Sequence, residues 1–499
     1  MININLFIFC LLSCFFLSTK VAANTLEPSQ ATMPGKPVTL SGQTVELTLS
    51  DTIFFGLRTN RTIRSAYLER TAEKFDLRVE EDRFNPKLLL TGRYLVGRNQ
   101  DEQRKTSGQK TSEFTPTTTL LSKYGTRFSL SWNYQSTDVK RGDRTRSDVA
   151  KFSVIQPLLR GGGKNIATAS LRLAHLTEQA NKLKLKTAVS DTVTQIIAAY
   201  HELLRAQGQL KIARDGLNRS RQLLEVNKIM IAAGRMAEFD AVQTEADTAS
   251  QELMVEETAN QLEAKRLDLL RLLALDTSTR ITVIDAPVVR RTEVSLANAL
   301  AAAFEHRPAY LTQIIASEQA GIRLDVARDD QLWDISLVGE ANRSRRRLSN
   351  QQVQGDGENN RTWEGYAGVQ VDIPIGDLSR KQSEVRAKVD AENQTLLLAE
   401  ARQALELEVD NAVRELGTRW RQYEIAQRAR KLSQRKLEVE RDKLQAGRSS
   451  NFQVLSFESD LRSAENTCLD ALIAYLNAQS LLDNTLGTTL ESWDINLND

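Results

Sequence analysis

The chain has 499 residues, 41% of them apolar and 26% charged. Its 66 basic and 64 acidic residues nearly cancel, so no net field draws it to nucleic acid or to an acidic surface. The 3 histidines stand without a Cys or His at ligand spacing, and the 3 cysteines form no disulfide framework, so metal and disulfide-scaffold classes are set aside.

At the N-terminus an apolar stretch from Leu6 to Leu17 runs into Val21-Ala22-Ala23, which predicts a signal peptide over residues 1–23 and an exported chain. Leu11-Leu12-Ser13-Cys14 offers a second reading, a lipobox with Cys14 as the lipidated residue. A retained anchor is disfavoured, because the run is shorter than the ~20 residues of a helical span. With Cys10 and Cys14 in the leader, Cys468 remains as a lone thiol in a helical stretch. Residues 24–47 are rich in Pro, Ser, Thr and Gln without periodicity and read as an extended tail.

Beyond it the chain repeats itself. LTLSDTIFFGLRTNRTI around Thr48 returns as VSLANALAAAFEHRPAY around Ser295, with Leu49, Ile53 and Leu57 matching Leu296, Leu300 and Phe304. The predicted organisation is a first repeat over 48–276, a link over 277–294, a second repeat over 295–486 and a tail over 487–499. In the first repeat Leu49 to about Asn85 is helical with a break near Thr59–Arg61, and Pro86 ends the helix.

There the period changes from helical to two. Leu88, Leu90, Gly92, Tyr94 and Val96 share one face, with Lys87, Thr91 and Arg93 on the other. In the second repeat Ile335, Leu337, Gly339 and Ala341 alternate with Asp334, Ser336, Glu340 and Asn342. The returning strand sets Trp363, Ala367, Val369, Val371 and Ile373 opposite Glu364, Gln370 and Asp372. Such two-faced strands suit a transmembrane barrel wall; a half-buried strand of a soluble sandwich gives the same alternation. Gly97–Tyr124 and Asn342–Arg361 are long and polar and are expected to be extracellular loops. Lys151–Gln156 is read as part of the returning span of the first repeat, and Phe128–Tyr134 as its upper extension or an extracellular hairpin. Arg343, Arg345, Arg346 and Arg347 form the densest basic cluster, either a solvated loop or a site for lipid phosphate at the outer surface.

Pro157 and Pro374 mark equivalent exits from the strands. The run Gly161-Gly162-Gly163-Lys164 lacks the spacing of a phosphate loop and reads as a strand-to-helix turn. Apolar residues then recur at alternating four- and three-residue steps: Val189, Val193, Ile196, Tyr200, Leu203 and Leu210 in one repeat, Val409, Val413, Leu416, Trp420 and Tyr423 in the other. That spacing signals coiled-coil packing. A helix from about Ala167 to Ile231 would be roughly 100 Å long, more than a globular core needs. Each long helix meets an interruption around a glycine: Ala233-Gly234-Arg235 and Ala446-Gly447-Arg448. These are predicted hairpin tips, with Asp240 and the Ser449-Ser450-Asn451 run nearby as helix caps. No nucleophile with an adjacent base is present, so an enzyme is not expected.

In their order these segments resemble the TolC-like outer-membrane efflux proteins, from roughly Leu47 to Gly487. The resemblance is carried by the two openings, by the exits PLLRGGGK and PIGDLSRK, and by the tips AGRMAEFDAVQTEAD and AGRSSNFQVLSFESD. It implies a mixed, mainly α fold: a homotrimer sharing a transmembrane β-barrel, four strands per chain, continued by a long periplasmic α-helical coiled-coil barrel. It also implies an outer-membrane location, a periplasmic adaptor (membrane fusion) protein and an inner-membrane transporter as partners, and no cofactor. The function implied is the passive exit duct of a tripartite efflux pump or type I secretion system. A periplasmic coiled-coil adaptor or scaffold without a pore is the alternative. By the resemblance, Gly234, Arg235, Gly447 and Arg448 belong to the adaptor-docking tips. The family's apolar flanks are replaced here by Ala233, Arg235, Ala446 and Arg448. Its acidic ring falls on Gln453 and Ser456, which leaves Asp240, with Arg448 as its expected partner, as the charged candidate for a periplasmic constriction. The cargo is not written in the sequence.

Overall fold

The computed structural model describes residues 45–100, 106–139, 144–285, 289–349 and 359–497. The signal peptide, Cys10, Cys14 and most of the N-terminal tail lie outside the described residues.

The two repeats match in their main helices. The first opens with α1 (Leu49–Thr59, 11 residues) and α2 (Arg61–Asp82, 22 residues). The second opens with α6 (Leu296–His306, 11 residues) and α7 (Pro308–Asp329, 22 residues). After the strands come a long helix and a shorter return: α4 (Ala169–Ala232, 64 residues) with α5 (Glu238–Leu273, 36 residues), then α8 (Leu378–Gln445, 68 residues) with α9 (Asn451–Leu486, 36 residues). A four-residue α3 (Lys164–Ala167) precedes α4, and a four-residue α10 (Thr489–Ser492) follows α9. At ~1.5 Å per residue, α4 and α8 are each about 100 Å long.

Local chemistry fixes the breaks. Thr48 and Asp51 form a reciprocal capping box at the start of α1, which satisfies two donors that the helix leaves open. The break expected near Thr59–Arg61 is Asn60, whose Oδ1 accepts the N–H groups of Thr62 (2.8 Å) and Ile63 (3.2 Å). Its Nδ2 donates to the main-chain oxygen of Leu272 at 2.7 Å, so the α1–α2 corner is tied to the end of α5. The second repeat makes the same joint with different chemistry: Pro308 opens α7 and the Arg307 guanidinium donates to the main-chain oxygen of Asn484 at 2.5 Å. In each repeat a 22-residue and a 36-residue helix therefore pack in sequence along one long helix. Arg70, itself buried, pairs with Glu178 and fastens α2 to α4.

The apolar seam of α4 is buried as its spacing requires: Val189, Val193, Ile196, Tyr200 and Leu203 are nearly inaccessible. A short strand, β1 (Val45–Leu47), pairs in parallel with β6 (Ile281–Val283). Leu47, Ile281 and Val283 then join Tyr200, Leu269 and Leu273 in one core cluster. The end of the expected tail and part of the link are thus paired strand rather than loose chain. The C-terminal segment is packed too: Leu490 is buried and Trp493, Ile495 and Leu497 lie against Ile53, Ile63 and Val193.

The other strands form one antiparallel sheet in the order β2 (Lys87–Gln100), β3 (Thr106–Leu121), β4 (Arg127–Val139), β5 (Arg144–Pro157), β7 (Asp334–Ser349), β8 (Asn359–Asp372). Among the described residues that sheet has six strands, not the four expected. The expected loop Gly97–Tyr124 contains β3, and Phe128–Tyr134 is the body of a full strand. The physical reason is that a ladder needs only main-chain partners. The β3 sequence TSGQKTSEFTPTTTLL is too polar to announce a span, yet it pairs along most of its length with β2 and β4. Residues 342–349 and 359–361 of Asn342–Arg361 are strand for the same reason; residues 350–358 lie outside the described residues.

Candidate functional site

Two regions carry chemistry: the faces of the sheet and the tips of the hairpins. The register sorts every strand residue onto one of two faces. On one face lie Leu88, Leu90 and Tyr94 of β2, Phe114 of β3, and Phe128, Leu130 and Trp132 of β4. Phe152 and Val154 of β5, Ile335, Leu337 and Ala341 of β7, and Trp363, Val369 and Val371 of β8 continue it. Many of these are exposed in the protomer, Leu88 at 65%, Val369 at 62% and Trp363 at 73%. An apolar surface of this extent marks contact with lipid or protein.

The opposite face is polar and internally bonded. Lys151 pairs with Glu340 at 2.9 Å, and the Tyr366 hydroxyl donates to the same carboxylate at 2.9 Å. Asn133 donates to Glu113 and to Thr115, each at 2.8 Å. Among the described residues β2 and β8 are the two edges, each paired on one side only. An open edge is not sustainable in hydrocarbon, where each unpaired main-chain group costs several kcal/mol.

At the far end of the helices each tip turns on a left-handed glycine, Gly234 at φ +69° and Gly447 at φ +73°. The following N–H reaches back over the last turn, Arg235 to the Met230 oxygen at 2.9 Å and Arg448 to the Lys443 oxygen at 2.8 Å, which closes the helix ends. All four of these tip residues are exposed. Phe239 and Phe452 sit at equivalent positions just beyond, exposed at 74% and 65%. Ser450 caps α9 by accepting the Gln453 N–H at 3.3 Å. Nearby, the Ser449 hydroxyl (2.6 Å) and then Lys443 (3.1 Å) hold the Glu440 carboxyl below the usual range.

Asp240 and Arg448 form no ion pair with each other within the protomer. Asp240 acts through its main chain, accepting from the Thr244 hydroxyl at 2.9 Å and from Asn451 Nδ2 at 3.1 Å. Gln453 and Ser456 lie partly buried in the first turns of α9.

The sequence reading missed what joins the tips. Asn227, Thr244 and Asn451 are almost inaccessible and bonded to one another: Asn227 Nδ2 donates to Thr244 Oγ1 at 2.7 Å and to Asn451 Oδ1 at 2.8 Å. A second group lies one level up, where the buried Glu458 accepts from Arg219 at 2.9 Å and pairs also with Arg441. The signal was present: Asn227 continues the seam through Leu210, Leu217 and Leu223, and a polar residue on such a seam fixes register.

Residues 299–488 match the family model described as Outer membrane efflux protein. No curated protein matches the sequence. The fold is that of solved outer-membrane channels. The Campylobacter jejuni CmeC outer membrane channel aligns at TM-score 0.65 and 14% identity, covering 88% of this chain and 86% of that one. VceC from Vibrio cholerae gives 0.64 and 14%, covering 88% and 96%. The open state of the Neisseria gonorrhoeae MtrE channel gives 0.63 and 17%, covering 89% of each.

Proposed function

We propose that this chain, an outer-membrane protein that carries an outer membrane efflux protein domain and has the fold of channels rather than of enzymes, is the passive exit duct of a tripartite export system. Three copies close their sheets edge to edge into one barrel, and their helices continue it through the periplasm. The observation that carries this reading is the sheet itself, with one apolar face, one polar face and two edges unpaired among the described residues, which in a membrane requires closure by other copies. The pore acts by size, hydration and charge and has no turnover of its own.

The exposed tips at Gly234–Arg235 and Gly447–Arg448 dock a periplasmic adaptor, which couples the duct to an inner-membrane transporter. The apolar surface missing beside the glycines is supplied one turn later by Phe239 and Phe452. Asp240, Gln453 and Ser456, with Arg448 of a neighbouring copy, narrow the periplasmic mouth. A drug pump and a type I secretion system would use the same duct.

The test is native mass spectrometry of the detergent-extracted protein followed by planar-bilayer conductance. A trimer with small, stable steps that grow in Asp240→Ala or Arg448→Ala supports a gated duct. A species that stays soluble without detergent and forms no channels would overturn it in favour of a periplasmic scaffold.

A further inference from the structure

The basic cluster of β7 is divided by the strand's pleat. Arg343, Arg345 and Arg347 continue the face of Ile335, Leu337 and Ala341, whereas Arg346 falls with Ser344 and Glu340 on the polar face. The flanking strands add to the first group. Arg361 of β8 stands opposite Arg345, and Arg146 of β5 stands opposite Arg347. One carboxylate, Asp148, also faces Arg345. Five arginines and one aspartate therefore share a patch two to three residues deep across three adjacent strands. Arg343, Arg347, Arg361 and Arg146 are exposed.

Height fixes what this patch meets. It begins where the apolar band stops: Arg343 lies directly opposite Trp363 on one side and Ala150 on the other, and Trp132 is opposite Ala150 in turn. Aromatic residues gather at the boundary between hydrocarbon and headgroups. Charge on the lipid face is costly at mid-membrane and nearly free at that boundary. The patch lies at the end of the sheet remote from the helices, because β5 and β8 enter their helices at the opposite end. It thus stands at the headgroup level of the outer leaflet.

We propose that Arg343, Arg345, Arg347, Arg361 and Arg146 form a binding site for the phosphate groups of the outer-leaflet glycolipid. Guanidinium forks match phosphate oxygens in pairs, and basic clusters at a membrane surface recruit phosphorylated headgroups. The patch is continuous with the lipid-facing surface, so its ligand arrives already anchored by acyl chains beside Phe152, Leu337 and Val369. The inference rests on the reading that the sheet spans the outer membrane.

The test uses full-length protein in detergent micelles with bis-phosphorylated lipid A as probe, and dephosphorylated lipid A as control. Wild type should retain the phosphorylated lipid at least about tenfold better than the control. The quadruple variant R343Q/R345Q/R347Q/R361Q should lose that preference, while Arg346→Gln on the opposite face keeps it. Equal retention of both lipids by wild type, or an undiminished preference in the quadruple variant, would overturn the site. Conductance of the quadruple variant separates the two readings. If channels persist while the preference is lost, the site is established on an inserted barrel. If wild type needs no detergent and makes no channels, the duct reading fails and takes this site with it.

Discussion

Asn227 donates its side-chain amide to Asn451 at 2.8 Å across 224 positions of the chain, so the first turn of one hairpin's return helix is bonded into the core of the other hairpin. Thr244 and the Asp240 main chain join the same group. The two tips of a protomer are therefore one unit: neither can tilt without exposing buried amides. Any motion that separates the tips must move both hairpins together, or must first break this group at a cost of about 1–3 kcal/mol per orphaned polar atom.

Asn451→Ala is predicted to destabilise the tips by about 1–3 kcal/mol. The readout is faster proteolysis near Gly234 and Gly447 and a raised open probability in bilayers. Adding Asn227→Ala should cost less than the sum of the single changes, because the partners act as a pair.

Glu458 lies between Arg219 and Arg441. Glu458→Ala would leave two partly exposed guanidiniums without their shared carboxylate and should lower stability by about 1–3 kcal/mol. Glu458→Gln should cost less. Thermal unfolding of the extracted protein followed by circular dichroism measures both.

His201 gives a pH dependence of fixed sign. Burial holds its pKa below the ordinary histidine value of 6.5, with Asn477 opposing the shift through a 2.7 Å bond to Nδ1. In the unfolded chain the ring binds a proton as pH falls through 6.5, while the folded protein resists it. Stability is therefore full above that value and is lost as pH drops toward the depressed folded pKa. The melting temperature should be lower at about pH 5 than at about pH 7.5, and His201→Gln should narrow the difference. An unchanged difference in the variant would assign it to other groups.

Gly234 and Gly447 have open space where a Cβ would stand, so substitution there meets only backbone strain. Gly447→Asn should be tolerated, and Gly447→Val should cost about 1–2 kcal/mol or more in the tip. If the tips dock an adaptor, the Val variant loses export while still forming trimers, which native mass spectrometry would show.

The repeat, the long helices and the glycine tips were legible because each has its own sequence period or punctuation. Val189 through Leu210 declared a helix by spacing, and Gly234 and Gly447 declared its end. The β3 strand was hidden because Thr, Ser and Gln on both faces match the composition of a loop, and only the pairing partners reveal a ladder. The tip network escaped for a different reason. Asn227, Thr244 and Asn451 lie far apart in sequence and become neighbours only when two hairpins pack. Asp240 was expected as a helix cap, but Ala237 holds that place without a side-chain cap, and the acceptor role of the Asp240 main chain carries no side-chain signature.

The added β3–β4 hairpin changes the proportions of the assembly. A strand spaced ~4.8 Å from its neighbour and tilted ~40° occupies about 6 Å of circumference. In the proposed trimer six strands from each copy would span about 110 Å around the wall, against about 75 Å for four strands from each. Each chain also presents four helical columns, two of them long and two tiled from shorter pieces, and twelve columns spaced ~9–10 Å apart span a similar 110–120 Å. In the proposed trimer the ring of strands and the helical tube would thus have nearly the same girth, with no throat between helix and strand. Electron cryomicroscopy should find a barrel about 35 Å across rather than about 24 Å. If the proposed duct has no narrowing at its sheet, its resistance to flow lies at the opposite end, and what emerges would be decided before it ever reaches the outer bilayer.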